Sequence, residues 1–189
     1  MVEMHQDQRR ATVLMSGGVD SAACAYLLNS QRFLVDAAFV DYGQAAGERE
    51  FRAACALADH LGISIRRLQL SGSGSHEAGE VIGRNAFLIF AVLLLTGQSS
   101  NAIAIGLHGG TPYFDSSRPF VASISNLIAE HTDGQVALLA PFIDWTKQDV
   151  YAYFSETKIP LALTYSCEAG TEPVCGECLS CRDRKTFQC

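Results

Sequence analysis

The sequence lacks the features that mark membrane-spanning, secreted or nucleic-acid-binding proteins. Its longest apolar run, Ala86–Leu95, has ten residues, which is too short for a helix that crosses a bilayer. The polar start of the chain shows no secretory signal. The formal net charge of −6 disfavours tight binding to a nucleic-acid backbone. We therefore expect a cytoplasmic protein with no membrane partner, and we disfavour a nucleic-acid partner.

Internal repeats and long linkers are also missing, and 189 residues with a hydrophobic share of 48% suit one domain with a large core. Strand-like and helix-like segments alternate, which predicts an α/β fold with a mostly parallel sheet and helices on both faces. Such sheets bind ligands beyond the carboxyl ends of their strands, where the strand order reverses. The predicted strands are Ala11–Met15, Phe33–Val40, Ile63–Leu70, Asn101–Leu107 and Val136–Ala140, and the predicted helices are Asp20–Asn29, Gly47–Leu61, Asn85–Leu95, Phe120–His131 and Thr146–Glu156.

The segment Ser16–Ser21, which reads Ser-Gly-Gly-Val-Asp-Ser, joins the first predicted strand to the first predicted helix. The first N–H groups of a helix have no internal partner, and the helix dipole favours an anion there. Ser16 and Ser21 add hydroxyl donors to these N–H groups. The order of residues differs from the P-loop, which needs a longer glycine loop and a lysine. An ordinary capped turn is the alternative, but the complete pattern favours phosphate binding.

Four of the seven cysteines crowd towards the carboxyl terminus at Cys167, Cys175, Cys178 and Cys181. Four thiolates at this spacing can enclose one Zn²⁺ ion in a structural site, and Arg182 and Arg184 are placed to offset their charge. An iron–sulfur cluster is the main alternative, whereas disulfides are disfavoured in a reducing cytoplasm. Cys24 and Cys55 have apolar neighbours, which favours core positions, and Cys189 has no assigned role.

Taken together, the motifs resemble those of the 7-cyano-7-deazaguanine synthase family. The resemblance implies an adenine nucleotide alpha hydrolase-like fold, with a doubly wound, mostly parallel five-stranded sheet. It divides the chain into an ATP pyrophosphatase domain, residues 1–160, and a zinc-binding segment packed on it, residues 161–189. The matching segments are Ser16–Ser21, Asp41–Gln44, Gly83–Asn85, Ile105–Gly106, Asp115, Pro141, Lys147 and the four cysteines.

The resemblance implies an AMP-forming carbon–nitrogen ligase that uses ATP, Mg²⁺ and a structural Zn²⁺. It would adenylate 7-carboxy-7-deazaguanine with release of pyrophosphate, and ammonia would convert the acyl-adenylate to an amide. A second ATP would activate the amide and lead to the nitrile. The family also suggests a homodimer.

The resemblance assigns roles to individual residues as well. Asp20 would help to place Mg²⁺, and Lys147 would contact a phosphate as a point charge. Two simpler readings stay open, with Arg84 as a surface cap and Tyr42 as an ordinary aromatic residue at a strand end. The expected catalytic residues are Asp20, Ser21, Arg84 and Lys147. The expected ATP contacts are Ser16, Gly17, Gly18, Val19, Asp20, Ser21, Tyr42, Gln44, Arg84, Asn85 and Gly106. The expected substrate contacts are Tyr42, Gln44, His108, Tyr113 and Asp115.

Two segments depart from the family pattern. Ser71–Ile82 is shorter than the corresponding family insertion, and the short loop His108–Asp115 offers one clean acid, Asp115. A guanine-like edge presents N–H donors, so a site short of carboxylates would lose charge-assisted hydrogen bonds. An alternative hypothesis is therefore a paralogue that activates a different carboxylate or conjugates a deazaguanine to a peptide or protein.

Two further functions stay open at this point. Some ATP pyrophosphatases activate a tRNA nucleobase for thiolation, but the acidic charge and the metal-type cysteine cluster count against that function. A non-catalytic nucleotide-binding protein is the other alternative, and the complete phosphate loop counts against it.

Overall fold

The computed structural model describes residues 9–72 and 81–187. Within them, strands and helices alternate as the sequence predicts, and Cys189 and most of Ser71–Ile82 lie outside the described residues. The strands are β1 (Arg10–Leu14), β2 (Leu34–Asp41), β3 (Ile65–Gln69), β4 (Ala102–Ala104) and β5 (Ala137–Leu139). The α-helices are α1 (Val19–Ser30), α2 (Gly47–Leu61), α3 (Arg84–Thr96), α4 (Arg118–His131), α5 (Lys147–Glu156) and α6 (Leu179–Phe187). Short 3₁₀ helices cover Gly97–Ser99, Phe114–Ser116 and Leu161–Leu163.

The five strands form one sheet in the order β3-β2-β1-β4-β5. Every neighbouring pair is parallel, and in the register of the central strand Val13 lies beside Ala37 of β2 and Ala104 of β4. The chain therefore winds outwards from β1 in one direction and then, from β4, in the other. The predicted doubly wound parallel sheet is confirmed, and its strand order reverses between β1 and β4.

Each face of the sheet has its own hydrophobic core, because successive side chains of a strand point to opposite faces. On one face, Val13 packs with residues of α1, α2 and α5. On the other face, Leu14 packs with residues of α3 and α4, such as Ile89 and Ile124. Helices thus cover both faces, and among the described residues none is long and apolar enough to cross a membrane.

Local signals in the sequence explain where several helices begin and end. Ser117 caps α4, because its hydroxyl accepts a hydrogen bond from the N–H of Phe120. Thr146 and Asp149 form a reciprocal capping box at the start of α5. Gly62 ends α2 in the left-handed conformation with φ 67°. These short-range interactions explain why this part of the secondary structure is readable from the sequence.

Three elements differ clearly from the sequence-based prediction. β4 and β5 have three residues each, which is shorter than the predicted strands Asn101–Leu107 and Val136–Ala140. The cysteine segment also contains helix α6, where the sequence suggested only a loop. This helix packs on the main domain through Phe187, whose ring lies 5.5 Å from that of Tyr151. The division of the chain at residue 160 stays a prediction.

The buried side chain of Ile103 provides a test of the two-face packing. Ile103 is fully buried in β4, so Ile103→Ala should lower the free energy of unfolding by about 2–5 kcal/mol through lost burial and a residual cavity. Urea denaturation measures this change. Leu127→Ala on α4 is the control, because Leu127 is 43% exposed and its loss should cost far less. Equal effects of the two substitutions would contradict the described core.

Candidate active site

The turn between β1 and α1 lies at the point where the strand order reverses. Gly18 precedes α1 in an extended conformation, and no side chain caps the helix start, so its first N–H groups are available to a ligand. The Ser16 hydroxyl donates to the Ser21 hydroxyl at 3.3 Å, and the latter donates to the Gly18 carbonyl at 3.0 Å. The loop residues therefore surround one end of the helix, which is the arrangement that favours an anion.

Two glycines allow neighbouring backbone segments to approach this turn. Gly17 has φ 82°, and a Cβ atom there would lie 2.4 Å from the Glu50 carbonyl oxygen on α2. A Cβ at Gly106, just after β4, would lie 2.6 Å from the Asp20 carbonyl oxygen. Real Cβ atoms do not tolerate such distances from backbone, so only glycine fits at either position. The turn is thus held between α2 and the end of β4.

Lys147 reaches the same turn from the start of α5. Its Nζ lies 2.6 Å from Oδ2 of Asp20 and 5.6 Å from the centroid of the Tyr151 ring. The other carboxylate oxygen of Asp20, Oδ1, is buried and has no hydrogen-bond partner within the described residues. This oxygen lies beside the turn Ser16–Ser21, which we call the phosphate-type turn. Such a position suits Mg²⁺, because Mg²⁺ binds proteins through one or two carboxylates together with substrate phosphates.

A cavity of about 370 Å³ opens beside the turn, within the usual size range of small-molecule sites. Most of the residues that the motifs single out line it, although Gly17 and Asp115 do not. The sequence-predicted lining residues are Ser16, Gly18, Val19, Asp20, Ser21, Tyr42, Gln44, Arg84, Asn85, Gly106, His108, Tyr113 and Lys147.

The loop after β2 holds its polar side chains in fixed orientations. Gln44 accepts a hydrogen bond from the Tyr42 N–H at 2.9 Å through Oε1, and its Nε2 donates to Glu50 at 3.1 Å. Burial raises the pKa of the Tyr42 hydroxyl, while Arg84, which is hydrogen bonded to it, opposes that rise. Arg84 thus interacts with other cavity-lining side chains, which disfavours a role as a surface cap.

Asp115 lies behind the cavity wall. Its Oδ2 accepts a hydrogen bond from the Asn85 N–H at 3.3 Å, and its carbonyl accepts one from the Asn85 side chain at 3.0 Å. These contacts hold the start of α3, which carries Arg84 and Asn85 into the cavity. The substrate contact expected of Asp115 stays a prediction, and the structure places this residue where it supports Asn85.

Glu50, Glu168 and Asp183 also line the cavity, so the expected shortage of carboxylates is wrong. These acids come from α2 and from the carboxyl-terminal segment rather than from the loop after β4. The signal for Glu50 was its position in the first turn of the helix after β2, because that turn faces the ligand edge of a parallel sheet. The sequence around Glu168 carries no comparable signal, because this residue reaches the cavity only through the packing of the carboxyl-terminal segment.

The four cysteine sulfur atoms lie within 4.8 Å of one another, and those of Cys175 and Cys181 are 3.9 Å apart. Tetrahedral zinc with Zn–S bonds of about 2.3 Å needs thiolates about 3.8 Å apart, so the cluster could hold a metal such as zinc. The N–H of Cys178 donates to the Cys175 sulfur at 3.4 Å. Burial raises the pKa of Cys167, but hydrogen bonds from Cys175 and Thr171 outweigh this effect and lower the pKa to about 5. The low pKa favours the thiolate, which is the form that binds metals.

The segment that carries the four cysteines also forms one wall of the cavity. Glu168, next to Cys167, accepts hydrogen bonds from the N–H and hydroxyl of Ser180 at 3.1 and 2.7 Å, near the start of α6. The Tyr165 N–H donates to the Gly17 carbonyl at 2.9 Å. The carboxyl-terminal segment is therefore joined directly to the phosphate-type turn.

Arg184 forms hydrogen bonds that attach α6 to the rest of the protein. Its guanidinium donates to the Thr164 hydroxyl at 2.8 Å and to the Leu161 carbonyl at 2.9 Å. These bonds tie α6 to the segment that precedes the cysteines, and the charge-offsetting role expected of Arg184 stays a prediction. Lys185 contacts the turn between Cys175 and Cys178, through a bond from its Nζ to the Gly176 carbonyl at 3.2 Å.

A solved structure shows a similar fold. A protein described as a predicted subunit of tRNA methyltransferase from Methanocaldococcus jannaschii superposes with a TM-score of 0.54, covering 78% of this chain and 76% of that one. The sequences are 16% identical, so this likeness concerns the fold alone.

Curated proteins resemble the chain over nearly its whole length. A 7-cyano-7-deazaguanine synthase from Haloarcula marismortui is 33% identical, with 96% of this chain and 91% of that protein covered. The 7-cyano-7-deazaguanine synthase of Brucella canis is 31% identical, with coverage of 93% and 87%. The names of these relatives indicate a synthase.

A family model described as queuosine biosynthesis protein QueC matches residues 10–78 and 75–188. The two matches together span almost the entire chain and include the turn, the cavity lining and the four cysteines. This agrees with the family that the sequence motifs predicted. The chain belongs to the QueC family, that of the 7-cyano-7-deazaguanine synthases.

Proposed function

We propose that this protein is an ATP-dependent ligase that converts 7-carboxy-7-deazaguanine and ammonia to 7-cyano-7-deazaguanine, with release of AMP and pyrophosphate. The observation that carries the proposal is the uncapped start of α1, which opens into the same cavity as Lys147, Arg84 and Glu50. One cavity thus offers donors for a triphosphate together with polar groups for a second, small substrate. The names of the curated relatives support this choice of substrate.

The phosphate half of the site would hold the leaving pyrophosphate. The free N–H groups at the start of α1 and the hydroxyls of Ser16 and Ser21 donate hydrogen bonds to its oxygens. Lys147 adds a positive charge that Asp20 holds in place at 2.6 Å. Asp20 Oδ1 would hold Mg²⁺, which supplies further neutralisation of the phosphate charge when bound.

The chemistry then consists of two activations. The substrate carboxylate attacks the α-phosphorus of ATP, pyrophosphate leaves, and ammonia displaces AMP from the acyl-adenylate to give the amide. The amide oxygen attacks the α-phosphorus of a second ATP and displaces a second pyrophosphate, and loss of AMP and of the two amide protons leaves the nitrile. The protein contributes mainly orientation and charge stabilisation. Arg84, at the start of α3, would neutralise charge that develops on the acyl group.

The cavity carboxylates remove the reason to assign an altered substrate. Glu50, Glu168 and Asp183 line the cavity although the loop after β4 is short, so acceptors for a guanine-like edge are present. We therefore favour the deazaguanine over the other carboxylate or peptide substrates that the sequence left open.

Lys147→Ala tests the phosphate half of the site. Loss of a charge that stabilises the departing pyrophosphate should lower kcat for pyrophosphate release by roughly 10²–10³-fold. A coupled pyrophosphatase assay measures this rate, and chromatography should find AMP as the nucleotide product. Lys158→Ala is the control, because Lys158 is exposed just after α5 and its loss should leave the rate unchanged. Formation of ADP, or full activity of Lys147→Ala, would refute the proposed role of the turn.

Metal analysis of the purified protein tests the cysteine cluster. We propose that it holds zinc structurally, so elemental analysis should find about one zinc ion per chain. Cys178→Ser should lose the metal and lower the Tm, because metal binding contributes to folding free energy. Cys55→Ser, which alters a cysteine on α2 outside the cluster, should keep the metal. Iron in place of zinc would contradict the proposal and favour an iron–sulfur cluster.

A further inference from the structure

Glu50 differs from Asp20 and Glu168, which also line the cavity, in what its oxygens contact. Asp20 is paired with Lys147, and one oxygen of Glu168 accepts two hydrogen bonds from Ser180 near the start of α6. Glu50 accepts one hydrogen bond through Oε2, from the Gln44 side chain at 3.1 Å. Its Oε1 has no hydrogen-bond partner within residues 9–72 and 81–187, and the side chain lines the cavity.

The surroundings of Glu50 hold this carboxylate in one place. Gln44 is itself fixed, because its Oε1 accepts from the Tyr42 N–H and its Nε2 also donates to the Val40 carbonyl at 3.3 Å. Burial raises the pKa of Glu50, whereas the bond from Gln44 and the nearby charge of Arg84 lower it. Glu50 is therefore an oriented acceptor in a partly dehydrated site, where a missing hydrogen bond is costly.

We infer that Glu50 is a specificity-determining residue that accepts hydrogen bonds from the adjacent ring N–H and 2-amino groups of a guanine-like substrate. This inference rests on the proposed function and names the residue that would select its substrate. A carboxylate accepts two parallel N–H bonds well, and such charge-assisted bonds are stronger than neutral ones. A base with a ring nitrogen acceptor at that edge, as in adenine, would face repulsion from the same oxygens.

Glu50→Gln is the informative variant. The amide keeps the shape and can still accept from Gln44, so the turn packed on the Glu50 backbone stays intact. It replaces one acceptor oxygen with an NH₂ group and removes the charge. Calorimetry should show that binding of 7-carboxy-7-deazaguanine weakens roughly 10- to 100-fold, as expected for loss of a hydrogen bond to a charged group. ATP affinity should stay unchanged, because the phosphate turn is not altered.

An analogue of 7-carboxy-7-deazaguanine that lacks the 2-amino group distinguishes recognition of this edge of the base from a general loss of binding. It can donate through its ring N–H alone, so wild type should bind it more weakly than the parent compound. Glu50→Gln should shrink the difference between the two compounds. If the variant loses affinity for both compounds to the same extent, Glu50 supports the cavity without reading the 2-amino group, and the inference fails.

Glu48→Gln is the matched control. Glu48 lies in the same first turn of α2, has a side chain that is 66% exposed and forms an ion pair with Arg67 outside the cavity. The Glu48→Gln variant should bind both compounds as wild type does. A loss of affinity equal to that of Glu50→Gln would overturn the inference.

Turnover by wild type, measured as pyrophosphate release with 7-carboxy-7-deazaguanine, tests the proposed function separately. No turnover despite selective binding that depends on Glu50 would refute the proposed reaction and keep the recognition. Turnover with selectivity that Glu50→Gln leaves intact would refute the recognition alone.

Discussion

The contact between the Gly106 backbone and the start of α1 is the constraint on which the site depends. A parallel sheet whose order reverses between β1 and β4 leaves a crevice at their carboxyl ends. The backbone after β4 approaches α1 so closely that a Cβ at Gly106 would lie 2.6 Å from the Asp20 carbonyl oxygen. This closeness sets where α1 begins, and so where its unpaired N–H groups point.

The carboxyl-terminal segment also helps to form the site. Tyr165 binds the Gly17 carbonyl, and the residues around the cysteines supply one wall of the cavity. The segment that carries the four cysteines therefore contributes to the shape of the site. Arg184 and Phe187 attach its helix to the main domain by hydrogen bonds and ring packing. A metal bound to the cysteines would hold this wall against the turn.

Much of the fold was predictable because its signals are local. The capping box of Thr146 and Asp149 and the left-handed Gly62 follow from contacts within a few residues. The alternation of strands and helices implied a parallel sheet, which the pairing of β1 with β2 and β4 confirms. Helix α6 was missed because its sequence, Leu179–Phe187, is polar and contains a cysteine of the cluster. It is held by distant partners such as Leu161 and Thr164.

The sequence by itself determined the phosphate-type turn, the four-cysteine cluster and the family, because each depends on residue types at fixed short spacings. Tertiary structure alone decided which acids line the cavity, since Glu50 and Glu168 are far apart in the chain and meet only when α2 and the carboxyl-terminal segment pack on the turn. It also decided that Asp115 supports Asn85 behind the wall. The direction in which a side chain points depends on the packing of its element, which no local pattern encodes.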